Sequence, residues 1–149
     1  MRHACWIAAA LVALVAPAGA QARPIYSQDV VVAAERGNAR AQTQLGFMHE
    51  RGLRVQQDYF LAAKWYHRAA AQGEPHGQHR LGLLFNKGFG VQVDLIESYK
   101  WLNLAVAGVG RAERDYYTRM RNAVASKLTY SELAEAQRRA SYWQPVLEQ

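Results

Sequence analysis

A stretch of thirty-one residues occurs twice in this chain, thirty-six positions apart. Setting residues 41–71 over 77–107 pairs Gln42 with Gln78, Leu45-Gly46 with Leu81-Gly82, Gly52 with Gly88 and Val55-Gln56 with Val91-Gln92. It also pairs Asp58 with Asp94, Lys64-Trp65 with Lys100-Trp101, Ala69 with Ala105 and Ala71 with Ala107. Eleven identities stand where average composition would give about two. Gly37 and Gly73 keep the same interval. A period of this size marks stacked helical hairpins, because one hairpin cannot bury its apolar face alone and a neighbour of the same shape can cover it.

Each unit reads as two helices. In the first, Ala41, Leu45 and Met48 share a face, repeated by Leu81 and Leu84, and Gly46 and Gly82 leave room for a neighbouring helix. Gly52-Leu53-Arg54-Val55 and Gly88-Phe89-Gly90-Val91 turn the chain, and Asp58 and Asp94 stand where an N-cap accepts the free amides of the second helix. That helix places Ala62, Trp65 and Ala69 inside, repeated as Ser98, Trp101 and Ala105. Trp65, Trp101 and Trp143 are all expected in the core.

The ends differ from the units. Residues 28–36 form a short opening helix after Ser27, and residues 111–127 a polar one whose buried stripe is Tyr116, Tyr117, Met120 and Val124. Neighbours on a helix point about 100° apart, so either both tyrosines join the stripe or Tyr117 faces a partner. Thr129 and Glu132 make a capping box for a last helix in which Leu133, Ala136, Ala140 and Trp143 share a face before Pro145 ends it. The expected fold is all-α: a short α-solenoid of two hairpin repeats, 38–73 and 74–109, with an N-terminal capping helix and a C-terminal cap over 111–144. Seven helices and no strand are expected.

Residues 1–20 have the layout of a secretory signal, with Arg2, an apolar run from Ala4 to Val15, Pro17, and the small residues Ala18-Gly19-Ala20. The run is shorter than the about 18 residues that a membrane anchor needs. Cleavage after Ala20 would leave a single domain, residues 21–149, without Arg2 and without Cys5, the one cysteine of the chain. A disulfide framework or a cysteine-rich zinc site is then excluded. The product is expected to be periplasmic or secreted, with no stable membrane insertion. Its basic balance, 18 Lys and Arg against 12 Asp and Glu, attracts acidic proteins or an anionic envelope polymer; export takes nucleic acid off the list of partners.

The pattern resembles that of the Sel-1-like repeat family, relatives of the tetratricopeptide repeats. It is carried by Ala41, Leu45, Gly46, Val55, Asp58, Ala62, Trp65, Ala69, Ala70 and Gly73, and again by Leu81, Gly82, Gly88, Gly90, Val91, Asp94, Trp101 and Ala105. Leu128-Thr129 followed by Glu132-Leu133-Ala134-Glu135-Ala136-Gln137-Arg138 is similar to the cap that follows such repeats in secreted bacterial members. Arg54 departs from the pattern where the second loop glycine belongs, as do Gln56 and Gln92 where proline is common and His49 where tyrosine is usual. The resemblance implies a scaffold or adaptor for other proteins, without catalytic residues or cofactors.

A direct search for chemistry agrees. G-x-S-x-G, S-x-x-K, H-E-x-x-H and G-x-x-x-x-G-K-[ST] are all missing. His76 and His79 with His49 or Glu74 are the one candidate metal set, and the simpler reading makes both histidines solvated or capping groups at a helix start. Neither a metal nor a cofactor is expected. A partner surface is expected on first-helix positions beside the buried face: Arg40, Gln44, Phe47 and Arg51, with His76, Arg80, Leu83 and Lys87 in the second unit. This strip, basic at its edges and apolar in its middle, suits an acidic peptide or another envelope protein. A second basic strip of Arg111, Arg114, Arg121, Arg138 and Arg139 offers anionic glycans or lipid head groups a site. The rival from another class is a small envelope hydrolase acting on cell wall or a β-lactam.

Overall fold

A computed structural model describes residues 28–148; the expected leader, residues 1–20, lies outside them, as does Ser27. The described residues form seven helices and no strand. These are α1 (Gln28–Glu35), α2 (Ala39–Arg51), α3 (Tyr59–Ala71), α4 (Pro75–Lys87), α5 (Leu95–Gly108), α6 (Arg111–Ala125) and α7 (Tyr130–Ser141).

Local chemistry sets the helix ends. Asn38, Asp58, Glu74 and Asp94 each accept a hydrogen bond from a backbone N–H of the following first turn, and Thr129 and Glu132 close a reciprocal capping box. α7 ends at Ser141, so Trp143 lies beyond the helix rather than on its face. Packing then follows the repeat: α2 on α3, α3 on α4, α4 on α5. The core at the junction joins Ala62, Ala63, Tyr66 and Ala70 of α3 to Leu81 and Leu84 of α4 and Trp101 of α5.

Two stitches recur with the period. Gln42 Nε2 donates to the Ala34 carbonyl at 3.1 Å and Gln78 Nε2 to the Ala70 carbonyl at 3.2 Å, tying each first helix to the end of the helix before it. Both glutamines are buried, so these bonds satisfy amides that would otherwise be costly to desolvate. Gly46 and Gly82 are close-approach points: a Cβ on either would stand 2.7 Å from the Tyr66 ring or 2.8 Å from Leu102 Cγ.

α6 begins thirty-six residues after α4, as α4 does after α2, so the C-terminal cap is in register with the repeats. The position matching Gly46 and Gly82 is Thr118, whose side chain opposes the same close approach. α6 and α7 accordingly make few close backbone contacts with each other and converge on α5 instead. The chain then turns back along the stack. Val146 N–H donates to the Ala71 carbonyl at 2.8 Å, and the Glu148 carboxylate accepts from Arg68 Nε at 2.9 Å and from Gln42 Nε2 at 2.8 Å. Trp143 meets Trp101 edge to face at 6.1 Å.

The tryptophans are not equivalent. Trp101 is buried at the junction, whereas Trp65 is half-buried against the α1–α2 cluster with the Arg68 guanidinium over its ring. The short helix α1 covers less surface than a complete unit does. In the first unit the fully buried aromatic is Tyr66.

Candidate partner-binding groove

The i, i+3, i+4 spacing on α2 and α4 aims one row of side chains from each helix into a groove that α6 walls on its far side. Thr43, Gln44, Phe47 and Arg51 meet His76, His79, Arg80 and Leu83 and, from α6, Glu113, Tyr116 and Tyr117, around about 710 Å³ of space. An adjoining lobe of about 490 Å³ adds Glu50, Tyr59, Lys87 and Phe89. Of the eight positions expected to share a surface, the groove gathers Gln44, Phe47, Arg51, His76, Arg80, Leu83 and Lys87. Arg40 is exposed and lines neither lobe.

The basic groups are held differently. Arg80 lies 4.9 Å from the centre of the Phe47 ring and pairs with Glu50 at 3.4 Å, while the other Glu50 oxygen accepts a 2.6 Å bond from the Tyr66 hydroxyl. Burial, then Glu50 itself, pushes the Tyr66 hydroxyl far above its ordinary range, which keeps it a donor. This triad locks Arg80 in place. Arg51 and Lys87 are exposed, and among the described residues they lie over aromatic faces, those of Phe47 at 5.6 Å and Phe89 at 5.6 Å, without an ion-pair partner.

The α6 wall corrects two expectations. His79 is 5% exposed and stacks on Tyr117 at 4.0 Å with the rings 8° from parallel, so it is neither solvated nor a cap; Glu74 caps α4. Tyr117 is 5% exposed and its hydroxyl lies 2.8 Å from His76 Nδ1, while Tyr116, expected in the buried stripe, is 46% exposed at the groove. Burial, followed by Glu113 and Glu74, pushes the Tyr117 hydroxyl up to about 12. No group of three or more His, Cys, Asp or Glu among the described residues could hold a metal ion.

Burial, aided by the charges of Arg80 and His76, pushes the His79 imidazole down from 6.5 to about 4. The folded state therefore holds His79 neutral where the unfolded chain already takes up a proton. Its stabilising contribution is complete above pH 6.5 and is lost as pH falls toward 4. Between neutral pH and about pH 4.5 the loss should be about 2–3 kcal/mol. Urea unfolding of the native chain and of His79→Phe, which keeps a stacking ring without titration, should differ by that amount in this window. Parallel curves would contradict the assignment.

The second basic strip is largely used internally. Arg114, thirty-six positions after Gln78, donates to the Val109 carbonyl at 3.1 Å, and Arg121 bonds Asn103 and Asn122. Arg138 pairs with Glu135, and Arg139 with Glu135 and Glu97. Burial would raise the Glu97 carboxyl, but its bonds to Lys100 and Arg139 outweigh this and hold it below the usual carboxylate range. Arg111 is exposed and makes no ion pair among the described residues.

Nothing in the sequence pattern pointed to the His79–Tyr117 stack or to the returning segment of residues 142–148. Both join positions far apart in the chain. The recurrence of Gln42 and Gln78 was visible, and their burial is what it signalled. No helix among the described residues is long and apolar enough to cross a membrane.

Comparisons with known proteins agree with the stack. The chain is similar to c5321, a protective antigen present in uropathogenic Escherichia coli strains that displays an SLR fold, at 29% identity and a TM-score of 0.72, over 78% of this chain and 24% of that one. It is also similar to a Sel1 repeat protein from Oxalobacter formigenes, at 32% identity and a TM-score of 0.56, over 61% of this chain and 26% of that one. It thus spans about a quarter of the length of either structure. No curated protein matches it. The Sel1 repeat pattern matches residues 39–74 and 75–108, the two hairpins whose helices line the groove. Residues 39–108 are thus two tandem Sel1 repeats, and the all-α solenoid they build is the one these relatives share.

Proposed function

We propose that this protein is a non-catalytic adaptor of the cell envelope, periplasmic or secreted after cleavage behind Ala20, which holds an acidic segment of another protein in the groove between α2, α4 and α6. The observation that carries this reading is the gathering of Arg51, Arg80 and Lys87 beside Phe47, Leu83 and Tyr116. Cations next to apolar surface bind a carboxylate and an anchoring side chain together, and partly desolvated charges bind more strongly than solvated ones. The likeness to a protective antigen supports an exported location. Folds of this type, built from Sel1 repeats, are typical protein-interaction scaffolds, which supports the adaptor role.

Charge reversal tests the reading. Arg51 and Lys87 make no ion pair among the described residues, so Arg51→Glu with Lys87→Glu should leave the helical fold intact, with a loss of about 1–2 kcal/mol from placing two acids at helix C-termini. Capture of partners from an envelope extract should fall by about tenfold or more, the scale of one lost charge-assisted contact. Capture at an unchanged level by the folded double variant would refute the groove as the binding face.

A further inference from the structure

The groove is not uniform along its length. Arg51, Arg80, Leu83 and Tyr116 line both lobes and form the ridge between them. Beyond that ridge the wider lobe is walled by Phe47 and by the stacked His79 and Tyr117, and the His76 ring nitrogen Nδ1 and the Glu113 carboxylate lie 3.8 Å from each other. The narrower lobe carries Lys87 over Phe89, and its acid, Glu50, is engaged by Tyr66 and Arg80. Among the described residues, positive charge without an ion-pair partner therefore sits on Lys87 at one end and on Arg51 at the ridge, and an apolar seat lies at the other end.

The distance between these ends follows from the helices that build them. On α4 the wider lobe alone uses His76 and His79, and the narrower alone uses Leu84 and Lys87. A rise of about 1.5 Å per residue puts the two midpoints roughly 12 Å apart. The matching positions on α2, Thr43, Gln44 and Phe47 against Glu50, are closer, at roughly 8 Å. An extended chain advances about 3.3 Å per residue and covers this interval in about three residues.

We infer that the groove reads an extended partner segment in which an apolar or aromatic side chain stands three residues from an acidic one. The apolar group fills the lobe beside Phe47 and Tyr117, and the carboxylate sits between Arg51 and Lys87. This rests on the adaptor reading and adds a spacing to it. The locked Arg80 acts as the fixed ridge over which the segment passes, which gives the groove a register that general positive charge would lack.

Fluorescein-labelled peptides of about eight extended residues, long enough to cross both lobes, test the spacing on the full chain. They carry Phe and Glu one, three or six positions apart, in both orders, with Glu→Gln and Phe→Ala controls. By fluorescence anisotropy, the three-residue spacing in at least one order should bind about tenfold more tightly than the other spacings and than either control. Arg51→Glu with Lys87→Glu should reduce it to the level of the Gln control. Equal binding at all spacings, binding that follows acid content alone and disappears with salt, or no binding to any peptide would each overturn the inference. If envelope capture still depends on Arg51 and Lys87 while the peptides show no preferred spacing, the adaptor reading stands and the register fails. If neither responds, both fail.

Discussion

Trp101→Ala should lower the folding stability by about 4 kcal/mol, whereas Trp65→Ala, at the equivalent position of the first repeat, should cost only about half as much. Trp101 is 4% exposed and sits where the two hairpins meet, among Ala62, Ala63, Tyr66, Leu81 and Leu84. Those small alanines belong to helices fixed on both sides by neighbours, so they cannot collapse into the space that truncation leaves. Trp143 loses its edge-to-face partner in the same step. Trp65 packs on the cluster formed with the short helix α1 and keeps one side under Arg68. Urea unfolding measures both; for a domain of this size the Trp101 variant should also melt about 12–16 °C lower. Equal losses would mean that the two repeats are buried alike, against the asymmetry of the structure.

A second pair of substitutions should diverge in the same way. Gly90→Ala should cost more than about 3 kcal/mol, of which left-handed backbone at φ +69° accounts for about 1 kcal/mol. The larger part is steric: a Cβ there would stand 2.1 Å from the Tyr59 carbonyl oxygen, a backbone atom at the start of α3 that cannot swing aside. Arg54 occupies the equivalent place in the first loop at φ 61°. Arg54→Gly should therefore lie between no change and a gain of about 1 kcal/mol, since relief of strain is offset by the greater freedom of glycine in the unfolded chain. Both are read from urea midpoints at constant m-value. A mild Gly90→Ala would show that the loop and α3 are not in contact, and a damaging Arg54→Gly would show that the arginine side chain has a structural role.

Departures from the repeat pattern gain meaning from these contacts. Arg54 does not disturb the first loop, because it takes the left-handed conformation itself. Thr118 in the third register position is more consequential, since it comes with the opening of the last hairpin and with α6 standing as a wall. The arginines assigned to a second surface show the reverse. Arg114, Arg121, Arg138 and Arg139 look free in a linear reading, yet Arg114 reaches the Val109 carbonyl between α5 and α6, and each of the others an amide or carboxylate on α5, α6 or α7.

Much of the molecule was determined by its amino-acid order alone: seven helices, their caps, the hairpin period, and the row from Gln44 to Lys87 that faces one way. Those features depend on chemistry within a few positions, on backbone geometry and on a spacing that repeats. Tertiary structure alone decided that His79 is buried under Tyr117 and Tyr116 is open, that Trp65 is less covered than Trp101, and that Glu148 clasps Arg68 and Gln42. Each of these depends on which distant side chain arrives from another helix and how much water it displaces, and helical periodicity carries no record of that.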